Sequence, residues 1–244
     1  MSRHGSVAVG RRPARTTGRT AGRTGVQRRG GDVSMSDPEG GTAAGEGSYN
    51  AIRRLFAAVD PAVWLISAYD GNRRNALIAT FVSQASIVPR MPRLLVGIAT
   101  QHYTWELIRR SGTFAAMLLE DGQWPLVGRF GLRSGRDGDK FAGMDVAVHD
   151  ERYLVLPGVC GWAGCVVEAS FDIGDRTLFL GSVECSEGGH GTPLRMSAWW
   201  ARATPDHAKL KAQLERDARR DAAAIAAWRQ ARGWQSGGPP PAET

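Results

Sequence analysis

From Tyr49 onward the apolar residues recur with a readable period; before it they do not. Ile52, Leu55, Phe56 and Val59 fall at helical spacing, which predicts a helix ended by Asp60-Pro61. Residues 63–69 predict a strand, and Asp70-Gly71 behind it is a strong hairpin signal. Residues 75–86 predict a second strand running into a loop, 94–100 a buried third strand and 114–119 a fourth. Between the last two, 104–111 predicts a short helix closed by Gly112, where a left-handed cap is easiest. Residues 120–145 are rich in Gly, Arg and Asp and predict short helical turns and loops anchored by Trp124 and Phe130. Two further strands, 162–171 and 177–184, predict a hairpin turning at Asp172-Ile173-Gly174-Asp175. Thr204-Pro205-Asp206 predicts a helix start, with a capping hydroxyl and proline at the first helical position. That helix runs to about Gly233, with Leu210, Leu214, Ile225 and Trp228 as a sparse apolar stripe.

Antiparallel strands in hairpins, with few helices between them, predict a mainly β fold: a small barrel or sandwich with peripheral helices and a long C-terminal helix. The chain divides into an N-terminal tail (1–48), a β domain (49–200), the helix (204–233) and a Gly/Pro tail (234–244). Residues 1–48 hold no Leu, Ile or aromatic residue. Such a segment cannot bury enough apolar surface to offset the entropy of ordering, so disorder is expected.

Charge changes the reading of that tail. The net charge is +7, and residues 1–34 carry eight arginines against Asp32 alone. Removing these from the totals of 31 basic and 24 acidic residues leaves 23 of each sign. A neutral body is not built to track a phosphate backbone, so nucleic-acid binding through the arm ranks low. The tail reads instead as solvated chain, or as sequence upstream of a start at Met35. Three cysteines, Cys160, Cys165 and Cys185, cannot all pair and lack zinc-ligand spacing. No apolar run approaches the roughly 18–20 residues that cross a bilayer, and no signal-peptide core is present. No membrane association is expected, and the chain is read as cytoplasmic.

Three segments carry candidate chemistry. Asn75, Thr80 and the run Ser83-Gln84-Ala85-Ser86 place an amide and hydroxyls among small residues, which suits a polar, planar ligand. The bland alternative is an edge strand whose hydroxyls face water. Gln101-His102-Tyr103-Thr104 opens a helix, and helix N-termini attract anions; equally, Thr104 need do no more than cap it. Asp139-Lys140-Phe141 reads most simply as a solvated ion pair beside a core aromatic. No catalytic triad, P-loop or metal-ligand spacing is legible, so any hard chemistry would belong to a cofactor.

Taken in order, these segments resemble the flavin reductase-like family. The matching pieces are Asn75, Thr80, Ser83 and Ser86 before a proline-containing loop, then Thr104 opening a helix and Gly112-Thr113-Phe114 at the next strand. Asp139-Lys140-Phe141, Cys165 before the Gly174-Asp175 hairpin and Gly181-Ser182-Val183 complete the series, across about residues 60–190. The resemblance implies an FMN-binding, antiparallel Greek-key split barrel. It implies that Asn75, Thr80 and Ser83–Ser86 lie along the ribityl chain and isoalloxazine, that Gln101, His102 and Thr104 lie near the phosphate, and that Phe141 is close to the pocket. The family's Ser-x-x-Pro-Pro is replaced by Ser86-Ile87-Val88-Pro89-Arg90-Met91-Pro92, which alters the loop near the ring.

The resemblance therefore implies an FMN-dependent oxidoreductase, with FAD as the alternative flavin, that takes hydride from NAD(P)H. The electrons pass to free flavin, a ferric chelate or a small organic molecule, with a monooxygenase component as one partner. A non-enzymatic flavin carrier or sensor is the competing reading. A homodimer is expected from the resemblance, with Trp199-Trp200 and the last helix as candidate contacts or, more blandly, as core.

Overall fold

The structure, a computed structural model, describes residues 43–234. It opens with α1 (Ala43–Val59), followed by the hairpin of β1 (Trp64–Tyr69) and β2 (Arg74–Ala79). The Asp70 carboxylate closes that hairpin by accepting from the Asn72 and Arg73 backbone N–H groups, while Gly71 takes φ +89°. After Thr80 and Phe81 the chain enters β3 (Val82–Gln84), then β4 (Arg93–Ala99) and α2 (Tyr103–Ser111). Gly112 ends α2 at φ 69°, and its N–H donates to the Ile108 carbonyl at 2.8 Å. There follow β5 (Thr113–Leu118), α3 (Leu126–Gly131), the small ladder β6 (Ala147–His149) and β7 (Tyr153–Val155), and the long hairpin β8 (Gly161–Asp172) and β9 (Arg176–Gly188). Two helices close the described chain, α4 (Met196–Trp200) and α5 (Asp206–Ala231).

Seven strands make one antiparallel sheet in the order β2-β1-β5-β8-β9-β4-β3. Its two edges, β2 and β3, are consecutive in sequence and separated by two residues, so the sheet must curl until its edges approach. This is the expected mainly β, barrel-like architecture. Strict alternation serves both faces of the central strands. On β1, Leu65 packs into one apolar cluster with Met117, Phe130 and Trp199, and Ile66 into the other with Leu107, Ile108 and Phe114. With both faces covered, these strands read as continuous apolar runs rather than as alternating ones.

Several elements differ from expectation. Residues 1–42 and 235–244 of the expected tails lie outside the described residues, but α1 begins at Ala43, inside the stretch expected to be disordered. The expected strand 75–86 breaks at Thr80 and Phe81, because continuing straight would carry it off the sheet; β3 instead pairs with β4 at the opposite edge. The β6–β7 ladder and α4 were not legible, being three to five residues long. Trp199 is core, at 1% exposure, and it stacks with Trp200 and His207 beneath α5. No helix among the described residues is long and apolar enough to cross a membrane.

The curled sheet leaves little room at Gly181. A methyl group there would lie 2.8 Å from Cys165 Cβ and 2.8 Å from the Phe114 ring, both fully buried. Gly181→Ala is expected to lower stability by about 1–3 kcal/mol through overpacking. The measurement is urea unfolding, with a lower midpoint and an unchanged m value.

Candidate functional site

A cavity of about 600 Å³ lies where β2, the start of α2, the loop after α3 and α5 meet. That volume suits a small organic ligand. Strand β2 and its end contribute Asn75 and Thr80, and the entry to α2 contributes Gln101, His102 and Thr104. The loop after α3 adds Arg133, Gly135 and Arg136, and Lys140 stands behind it.

Asn75 and Thr104 form the inner wall and are 2% and 0% exposed. Asn75 Nδ2 donates to Thr104 Oγ1 at 2.9 Å, joining the sheet edge to the first turn of α2. Thr104 is therefore not the helix cap. His102 holds the cap position in extended conformation, and no side chain caps the first N–H groups. An uncapped helix start facing a cavity is an anion-favouring arrangement. Asn75 Oδ1 has no hydrogen-bond partner. A buried acceptor without a donor costs about 1–3 kcal/mol, which a donating ligand would relieve. Gly135 makes this packing feasible, because a Cβ there would sit 2.2 Å from Asn75 Oδ1.

Lys140 is the second unusual group. It is buried, and its Nζ donates to the carbonyls of Ala76 at 2.9 Å and Phe130 at 3.0 Å. Among the described residues no carboxylate pairs with it: the adjacent Asp139 pairs with Arg74 at 2.7 Å instead. The reading of Asp139-Lys140 as one solvated pair is thus corrected, since the two side chains point to opposite sides of the turn. Burial lowers the Lys140 pKa from its ordinary 10.5 to about 8. His102 is likewise held down, chiefly by burial, with Asp217 opposing and Lys140 reinforcing the shift. Arg136 pairs with Glu106 and donates to the Gln101 carbonyl at 2.9 Å, tying the loop to α2.

Five of the ten residues expected at a ligand, Asn75, Thr80, Gln101, His102 and Thr104, come together in this wall. Ser83, Gln84, Ala85 and Ser86 are not part of it. They lie on β3 and the loop beyond, largely exposed, because the chain has crossed to the other sheet edge. Phe141 is fully buried in the core against Phe130, with the Arg74 guanidinium 5.5 Å above its ring, so it backs the wall rather than lining it. Sequence reasoning missed Arg133, Gly135 and Arg136, and it singled out the Lys140 segment without foreseeing that Lys140 is buried in the wall. The signal was a Gly-rich basic stretch, Arg133-Ser134-Gly135-Arg136, between the anchors Phe130 and Phe141. Among the described residues no cluster of three or more His, Cys, Asp or Glu could hold a metal ion.

Comparison with known proteins places this geometry. The family model described as flavin reductase like domain matches residues 56–202. The high molecular weight rubredoxin of Moorella thermoacetica is 32% identical over 126 residues, covering 50% of this chain and 53% of that protein. The flavin reductase of Pseudomonas putida is 29% identical over 115 residues, covering 47% and 64%. The chain thus spans between about half and two thirds of the length of these two relatives. An NADH:FAD oxidoreductase of Streptomyces globisporus, solved with NAD and FAD fragments, shares the fold at TM-score 0.54 and 22% identity. That superposition covers 66% of this chain and 96% of the other.

The lysine gives the site a measurable signature. Between about pH 8 and pH 10 the unfolded chain binds a proton at Lys140 that the folded chain does not, so the lysine's contribution to stability rises with pH across that window, while that of the buried Cys165 thiol, pushed up to about 12, falls. Below it both states are protonated and the cost of burying the ammonium is fully present. Urea midpoints of the parent and of Lys140→Met are compared at about pH 7.5 and about pH 9.5, and the advantage of the methionine variant is expected to shrink at the higher pH.

Proposed function

This chain belongs to the flavin reductase-like family, and we propose that it is an NAD(P)H:flavin oxidoreductase whose cavity holds FMN, with FAD as the alternative. The observation that carries this reading is the orphaned Asn75 Oδ1, a buried acceptor without a donor in the cavity wall. A ribityl chain, which is a row of hydroxyl donors, answers that acceptor. When bound, the flavin supplies the ring that takes hydride from the nicotinamide and returns electrons to a second acceptor.

The chain's own residues bind and orient. The uncapped first turn of α2, with Thr104, Gln101 and His102, faces the phosphate, and Lys140 and Arg133 add positive charge in the same wall. His102, kept neutral by burial at physiological pH, serves as a hydrogen-bonding group rather than as a cation. Thr80 sits where the wall meets the sheet edge, the exposed strip Ser83–Ser86 would contact the flavin from outside the cavity lining, and Phe141 backs the wall from the core. The cavity holds no legible acid–base pair, so rate enhancement rests on stacking and positioning the two rings. The acceptor belongs to one of three classes: free flavin serving a monooxygenase component, a ferric chelate or a small organic molecule.

The chain works as a homodimer in this reading. Ile52, Leu55, Phe56 and Val59 form an exposed apolar stripe on α1, and Phe81, Ile87, Val88 and Met91 expose more apolar surface beside the rim. Apolar groups in such numbers on a single chain mark an interaction surface.

The test is anaerobic titration of the flavin-loaded protein with NADH and NADPH. Bleaching of the flavin absorbance by either donor is the expected result. A band that persists would replace this reading with a carrier or sensor, and no binding of FMN or FAD would leave the family resemblance as fold alone. Asn75→Ala is expected to weaken flavin binding by about tenfold, the scale of one buried hydrogen bond.

A further inference from the structure

The match to the family ends at residue 202, and α5 begins at Asp206. Yet Leu210, Gln213, Leu214, Arg216 and Asp217, all on α5, line the cavity. The outer wall of the site is therefore built from outside the family stretch.

The pattern along α5 agrees with that placement. Positions 210, 213, 214, 217, 221 and 228 fall on one face by helical spacing. At the ends this face anchors the helix. Leu210 packs on the core, and the Trp228 indole N–H donates to the Asp172 carbonyl at 3.1 Å beside Gly174. In the middle it is polar. Gln213 donates to the Gly131 carbonyl at 3.1 Å, and Asp221 accepts from Arg176 at 3.3 Å. Asp217 faces His102 from across the cavity and is paired with Arg220 at 2.9 Å. A helix packed only onto a barrel would carry apolar side chains at 213 and 217; polar ones there face a polar-lined space. Arg216 lines the same space with no carboxylate partner among the described residues, as does Arg133. Leu214 lines it while 45% exposed, an apolar side chain left uncovered until something fills the cavity.

We propose that α5 is an added wall of the flavin site, in which Arg216 and Leu214 contact the bound flavin nucleotide and Gln213 and Asp221 hold the helix in place, so that the flavin is retained as a resident group rather than exchanged as a substrate. This rests on the flavin reading above and sharpens it. With the flavin retained, the acceptor, whichever of the three classes it belongs to, must come to the site.

The test compares FMN dissociation rates of the full chain, of Arg216→Ala and of a chain ending at Ala203, measured by recovery of flavin fluorescence after dilution. The single variant is expected to release FMN about two- to fivefold faster, as for loss of an exposed ionic contact. The truncated chain should release it about tenfold faster or more, since loss of a preformed wall shows mainly in the off-rate. Circular dichroism of each protein checks that it is folded, and Arg216→Ala, altering an exposed side chain, stands as the test should the truncated chain fail to fold. Release from Arg216→Ala at the parent rate overturns the proposal while leaving the flavin reading intact. Failure of the full chain to bind either FMN or FAD overturns both.

Discussion

Thr80 and Phe81 are all that separates the two strands at opposite edges of a seven-stranded sheet, and the rest of the molecule follows from that short link. With two residues between them, β2 and β3 cannot lie at the ends of a flat sheet, because seven strands at about 4.8 Å spacing would set them far beyond the reach of so short a segment. The sheet must curl, one face turning inward around Ile66, Phe114 and Phe179, with α2 covering it through Leu107 and Ile108. The other face is then convex and needs its own cover, supplied by α3, α4 and the β6–β7 ladder over Leu65, Met117 and Trp162.

The site forms where this closure leaves a polar group on a buried edge. Asn75 lies on β2 between Arg74, which turns out to Asp139, and Ala76, whose carbonyl accepts from Lys140. A side chain on an edge strand would ordinarily find water. Here α2 and the Gly135 loop cover it, so its amide is spent on Thr104 and its carbonyl oxygen is left over. Lys140 is buried by the same packing and, among the described residues, is satisfied only by backbone carbonyls. Such groups oppose folding when considered alone. They are the kind of cost a fold carries at a functional site, where a ligand completes the set.

Helix α5 shows how a short stretch of sequence can extend a shared domain. It is fixed by Leu210 near α3 and by Trp228 on the β8–β9 turn, and its first half, residues 210–217, lines the cavity. None of its residues is fully buried, so its position rests on a few specific contacts rather than on a large apolar face. The sparse stripe visible in the sequence follows from that arrangement, since Gln213 and Asp217 share the face of Leu210 and Leu214 and line the cavity with them.

The sequence by itself determined the mainly β architecture, the hairpins at Asp70-Gly71 and Asp172–Asp175, the Gly112 cap and the long last helix. These are local matters, set by period, turn chemistry and backbone sterics within a few residues. It also marked Asn75, Thr80, Gln101, His102 and Thr104 as a candidate wall. Only the tertiary structure decided that Thr104 bonds to Asn75 rather than capping its helix, that Lys140 turns inward while Asp139 turns out, and that Ser83–Ser86 lie at the other sheet edge, outside the cavity lining. It alone brought residues 210–217 across to face residue 102. Each of these depends on contacts between segments roughly 30 to 115 residues apart, and no spacing along a chain encodes which way a side chain turns once two distant segments have met.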